Sequence, residues 1–287
     1  MSPFTLLSWS RRRLLLAGLA ACGCHAHARA ADEAPHARIL FFGNSYTAFN
    51  RLPGMVGELL LSSGMLSPHI GSSLQGSYSL ERHSTNTEGL ELLKKGADDG
   101  KPWDIVVVQE QSVISAAAAV DADARQLMEN GLSKLVKLAR EQNPKALIIV
   151  FQVWSRHEKL WKEKDADALL TGASPAEARA RIHVANAKAV KAVLEKEPGA
   201  QILVSPVGDF WWLVHDLYPA LSLYAEDGTH ADVLGTLLAA YVIAGTIAGR
   251  DAVEHATWMP PDCPSTQVER MRKMVLDHPE VFKSADK

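Results

Sequence analysis

The sequence predicts an α/β protein whose parallel sheet is covered by helices on both faces. Strand-like and helix-like stretches alternate along the chain, and each strand-like stretch is apolar almost throughout rather than at every second residue. Length agrees: about 255 residues beyond the first 30 suit one large α/β domain, and no internal repeat or low-complexity linker divides residues 31–287.

The elements follow in order. Arg38 to Phe42 reads as a buried strand that stops at Gly43-Asn44-Ser45, and "LPGMVGELLLSSG" as a helix starting near Pro53 with Gly64 as its stop. "SPHIGSSL" is a weaker strand, and "NTEGLELLKKGAD" is helical. "WDIVVVQEQS" and "KALIIVFQVW" are short buried strands on either side of the long amphipathic helix in "DADARQLMENGLSKLVKLAREQN". Ser174-Pro175-Ala176-Glu177 supplies a serine cap, a first-turn proline and an acid three residues on, so "SPAEARARIHVANAKAVKAVLEKE" is the clearest helix. "AQILVSPVG" is the last good strand, and "ADVLGTLLAAYVIAGTIAG" is the last core helix. Arg156 to Asp167 carries so many charges that it reads as solvated surface. Core packing is expected for at least two of Trp154, Trp211 and Trp212.

Residues 1–30 stand apart. Arg11, Arg12 and Arg13, an apolar stretch and small residues at its end have the layout of an export signal, with a twin-arginine character around Ser10 to Leu15. Ala28-Arg29-Ala30 predicts cleavage after Ala30 and a free protein. Leu19-Ala20-Ala21-Cys22 resembles a lipobox and predicts a membrane tether only if Cys22 is lipidated. Either way the expected location is extracytoplasmic, periplasmic or secreted. Residues 1–31 hold four arginines and no acid, so the 30 basic residues fall to 26 against 33 acidic ones, a net of about −7 that does not suit nucleic acid. Cleavage after Ala30 leaves Cys263 as the sole cysteine, so stability must come from the core and not from an intrachain disulfide.

Ligands of parallel α/β sheets bind at the carboxyl ends of the strands, and Ser45 lies at one of them. In "YAEDGTHADVLGTLLAA", Asp227 and His230 are three residues apart across Gly228-Thr229, close enough for the carboxylate to hold one imidazole nitrogen. The other nitrogen is then free to face a serine hydroxyl and remove its proton. A serine after a glycine turn also serves as a turn or cap residue. His157, His183, His215, His255 and His278 show no metal-ligand spacing.

Gly43-Asn44-Ser45, the glycine of "QGSYSLERH", the polar turn after the third strand and Asp227-x-x-His230 together resemble the four blocks of the SGNH, or GDSL-type, hydrolases, in an exported, esterase-like bacterial form. The resemblance spans the domain in order. It implies a three-layer α/β/α flavodoxin-like fold with about five parallel strands, and ester hydrolysis through a serine acyl-enzyme with no cofactor and no metal. Ser45 is then the nucleophile, His230 the base and later the acid, and Asp227 the residue that orients it. The oxyanion hole takes the backbone N–H groups of Ser45 and Gly76 and a side-chain amide after the third strand. Two blocks depart from the pattern. Asn44 replaces the usual aspartate, and "QEQS" stands where Gly-x-Asn-Asp is expected. It resembles the Gln-Gly-Glu-Ser of some carbohydrate-esterase branches, which points to Gln109 as the amide donor with Gln111 as its competitor. Asn44 and His83 are candidate substrate contacts, although a structural role suits His83 as well. The implied substrates are small-molecule or glycan esters, acetylated carbohydrate or cell-envelope material above all. The alternative is a catalytically silent carbohydrate-binding or envelope-associated protein on the same fold. A flavodoxin-like nucleotide binder is disfavoured, because the first turn lacks Gly-x-Gly-x-x-Gly.

Overall fold

Five apolar runs become five strands: β1 (His36–Gly43), β2 (Ser67–Leu74), β3 (Ile105–Val108), β4 (Leu147–Phe151) and β5 (Gln201–Ser205). The computed structural model describes residues 34–261 and 263–284, so the expected export signal, its two candidate cleavage points and Cys22 lie outside the described residues. All four strand pairings are parallel, in the order β2-β1-β3-β4-β5. From β1 the chain steps outward to β2, returns past β1 to β3 and continues the other way. The reversal between β1 and β3 opens a crevice at their carboxyl ends, where ligands bind in such sheets.

Alternation along each strand fills both faces. Ile39, Phe41, Val107, Ile149 and Phe151 point into one core, and Leu40, Phe42, Val106, Val108, Ile148 and Val150 into the other. The first core is closed by α2 (Leu52–Ser62), α10 (Val207–Leu217), α11 (Val233–Ala248) and α13 (Ser265–Asp277). The second is closed by α3 (Leu80–His83), α4 (Thr87–Lys95), α6 (Ala122–Gln142) and α9 (Pro175–Lys196). The result is three layers, helices on each side of a parallel sheet. Every residue of α11 from Leu234 to Gly245 is buried, which explains why its sequence is apolar on all sides. Among the described residues no helix is long and apolar enough to cross a membrane.

Local chemistry sets the helix ends. Ser174 Oγ accepts from the Glu177 N–H at 3.2 Å, and Glu177 reaches back to the Ala173 N–H at 2.8 Å, one residue earlier than in the usual reciprocal box. Asp121 Oδ1 caps α6 through the Ala124 N–H at 2.8 Å. Two short helices, α7 (Lys159–Lys162) and α8 (Ala166–Thr171), occupy the charged stretch after β4. The solvated-surface expectation fails at its first residue. Arg156 is buried because its guanidinium pairs with Asp167 at 3.0 Å and Asp165 at 3.6 Å within the same stretch, and it lies 3.5 Å from Thr229 Oγ1.

Candidate active site

Ser45 opens the four-residue helix α1 (Ser45–Ala48) immediately after β1. Asn44 caps it, accepting from the Tyr46 N–H at 3.1 Å, and donates through Nδ2 to the Tyr78 carbonyl at 2.9 Å. The turn is tight enough to require glycine at position 43. A Cβ there would sit 2.3 Å from Thr47 Oγ1 and 3.0 Å from Gln109 Oε1.

The turn before α11 brings its two residues to the same place. His230 Nε2 lies 2.8 Å from Ser45 Oγ, and His230 Nδ1 lies 2.5 Å from Asp227 Oδ2. Asp227 Oδ1 also accepts the backbone N–H groups of Thr229 at 2.8 Å and His230 at 2.9 Å. Burial works against the charged form of Asp227. The hydrogen bonds from the His230 ring and from these two N–H groups outweigh that effect and hold the carboxyl below its ordinary value. The carboxylate is therefore present at neutral pH, and it selects the tautomer with the proton on Nδ1 and a lone pair on Nε2.

The imidazole and the segment that carries it are held at three points. Phe49 stacks on it at 4.0 Å and 5° between planes. Trp154, buried and stacked on Trp211 at 4.0 Å, donates its indole N–H to the Thr229 carbonyl at 3.0 Å. Asn50 Nδ2 donates to Ala231 O at 3.1 Å and Thr236 Oγ1 at 2.8 Å, tying the Ser45 segment to the histidine segment. Asn50 and Arg51 hold φ of 49° and 58°, a left-handed pair of non-glycine residues. Asn50 is among the few side chains that tolerate this region. Trp154 and Trp211 thus pack in the core. Trp212 is half-buried and donates to Ser155 Oγ at 3.1 Å.

Around Ser45, hydrogen-bond donors are left over. Neither the Ser45 nor the Gly76 N–H has an acceptor among the described residues; Gly76 sits in a turn closed by the Tyr78 N–H on Gln75 O at 3.1 Å. Gln109 is fully buried, and both ends of its amide are engaged. Oε1 accepts from the Asn44 N–H at 3.0 Å and Thr47 Oγ1 at 2.9 Å, while Nε2 donates to Glu110 O at 2.5 Å. It braces the Ser45 turn, and one of its two Nε2 N–H groups has no acceptor among the described residues. Gln111 caps α5 (Ser112–Ala117) through Oε1, which accepts from the Ile114 N–H at 2.9 Å, and its Nε2 has no acceptor among the described residues. Gln109 and Gln111 thus both keep an N–H, one on the buried amide and two on the half-buried one.

His83 and Asn44 are also internal. His83 is fully buried, and its Nε2 donates to Gly43 O at 3.0 Å; burial depresses its basicity, partly offset by that bond. Asn44 is buried with its side chain in use on both sides. Both hold the turn rather than face a substrate.

Two features carried no sequence signal. Glu110 is buried and its Oε1 accepts from the Leu80 N–H at 3.2 Å and the Gln111 N–H at 2.6 Å, joining the loops after β2 and β3; burial pushes its carboxyl up to about 8. Asp209 accepts from the His183 ring at 2.9 Å and from Gln152 Nε2 at 3.3 Å. These partners come from α10, α9 and the end of β4, so no local spacing foretold them. Among the described residues no group of three or more His, Cys, Asp or Glu is placed to hold a metal ion.

Comparison with solved structures places the fold. A DUF4886 family protein from Bacteroides uniformis superposes with a TM-score of 0.62 at 18% identity, over 88% of this chain and 96% of that one. A protein from Slackia heliotrinireducens, assigned to the SGNH hydrolases, superposes at 0.52 with 25% identity over 74% and 98%. A protein from Parabacteroides merdae, assigned as a GDSL-like lipase, does so at 0.51 with 17% identity over 75% and 97%. No family model matches the sequence, and no curated protein does. By its strand order, its layers and these likenesses, the chain has the fold of the SGNH hydrolase superfamily.

Proposed function

We propose that the protein is an exported serine ester hydrolase acting on acetylated carbohydrate or cell-envelope esters. The observation that carries this reading is the continuous line from Asp227 through His230 to Ser45 Oγ, at 2.5 and 2.8 Å. His230 Nε2 takes the hydroxyl proton as Ser45 Oγ attacks the ester carbonyl, and Asp227 stabilises the imidazolium that forms. The tetrahedral oxyanion is held by the unpaired N–H groups of Ser45 and Gly76, with Gln111 Nε2 as the side-chain donor; each such donor contributes about 2.7–4 kcal/mol to transition-state stabilisation. Collapse breaks the C–O bond, His230 Nε2 gives its proton to the leaving alkoxide, and the alcohol departs. Water then repeats the sequence on the acyl-enzyme, with His230 as base, and releases the acid and Ser45.

Export rests on residues 1–30, and the intact mass of the protein recovered from outside the cytoplasm distinguishes cleavage after Ala30 from lipidation at Cys22. The catalytic reading is tested by intact mass before and after a serine-reactive fluorophosphonate. One adduct on the wild type and none on Ser45→Ala is expected. No adduct on folded wild type would sink it and leave the silent carbohydrate-binding protein in the lead.

A further inference from the structure

On the β2 side of Ser45 a solvent-open cavity of about 620 Å³ lies between the turn after β2 and the first turn of α4, lined by Tyr78, Arg82, Thr85, Asn86, Thr87 and Glu88. It is close to the nucleophile. The Tyr78 carbonyl receives the hydrogen bond of Asn44, the residue before Ser45, which puts Tyr78 on the order of 10 Å from Ser45 by covalent reach.

The lining excludes some ligands. Pockets for acyl chains are walled by aliphatic and aromatic side chains, and here the Tyr78 ring is the sole large apolar surface. A simple anion would meet Glu88 as well as Arg82. A neutral group rich in hydroxyls meets both without a like-charge contact. The Arg82 guanidinium lies 5.8 Å from the centre of the Tyr78 ring, has no carboxylate partner among the described residues, and is steadied by the ring face. Glu88 is likewise unpaired. A guanidinium fork and a carboxylate can each bind two neighbouring hydroxyls, one as donor and the other as acceptor, while an aromatic face receives the C–H side of a saturated ring.

We propose that this cavity is the subsite for the sugar-like part of the ester, with Tyr78 as its platform and Arg82 and Glu88 as the residues that set specificity. The assignment deepens the esterase reading above and rests on it.

The test compares kcat/KM for 6-O-acetylglucose with kcat/KM for p-nitrophenyl acetate, which carries no hydroxyl-rich group. In Arg82→Met and Glu88→Gln the ratio of the two is expected to fall about 10- to 100-fold, the loss that follows from removing a charged hydrogen-bonding partner. An unchanged ratio in both variants overturns the subsite. Absence of any Ser45-dependent turnover is a failure of the esterase reading instead, and saturation-transfer NMR with 6-O-acetylglucose then decides the subsite. A signal in the wild type that Arg82→Met loses upholds it, and an equal signal in both, or none in the wild type, overturns it.

Discussion

Glu110 should make the fold lose stability as pH rises through a range where most proteins are indifferent. Its carboxyl is buried, and burial lifts it from an ordinary 4.5 to about 8. In the unfolded chain it ionises near 4.5, so between about pH 5 and 8 the native state holds a proton that the unfolded state has lost. Unfolding then releases that proton, and stability falls with rising pH by about 1.4 kcal/mol per unit. The stabilisation is complete below 4.5 and is gone once pH passes the native value. From pH 5.5 to 7.5 the loss is about 3 kcal/mol, a large share of a typical 5–15 kcal/mol stability. Glu110→Gln keeps the acceptor that serves the Leu80 and Gln111 N–H groups but removes the titration. Urea unfolding of both proteins at pH 5.5, 6.5 and 7.5 is the assay, and the variant should gain on the wild type at each step. A difference independent of pH would refute the reasoning, because it would mean that Glu110 is already ionised in the fold.

Other outcomes follow from the same geometry. Asp227→Asn should leave the fold intact, since the residue is half-exposed, yet lower kcat by about 10⁴ by favouring the wrong imidazole tautomer; stopped assays with p-nitrophenyl acetate read it. Asn50→Ala removes the bonds to Ala231 O and Thr236 Oγ1 and puts a less tolerant residue at φ 49°, so denaturant unfolding should show about 1–3 kcal/mol of lost stability. Asn50→Gly suits the backbone but not the bonds, and the difference between the two variants measures the left-handed term. Gly43→Ala forces Thr47 and Gln109 apart and should cost about 1–3 kcal/mol by overpacking, with slower fluorophosphonate labelling of Ser45.

The layers and four of the five strands were legible because a strand buried on both faces leaves a run of apolar residues that few other elements produce. The half-buried edge strand β2 was legible too, with its bounds at Ser67 and Leu74, although its composition is weak. α10 was not. Pro206 carries β5 straight into "VGDFWWLVHDL", whose near-continuous apolar character hides any helical period. In the site, the Asp227-x-x-His230 turn was readable because it is local, and Ser45 because a strand end and a glycine flank it. Gln109 and Gln111 could not be told apart, because what buries and engages Gln109 is Asn44 and Thr47, 65 and 62 residues away. Arg156 looked solvated for a similar reason: composition shows its charge but not that its partners fold back on it.

The aspartate and histidine come from one four-residue turn, and the serine lies 185 residues earlier. A chain still being synthesised therefore carries an ordinary, inert serine long after its first strands can pair. On the esterase reading, reactivity is switched on only when the segment around 224–236 docks against Asn50. On the same reading a truncated or incompletely folded copy is chemically harmless, because it can hold a bare hydroxyl or an oriented imidazole but never the two in contact.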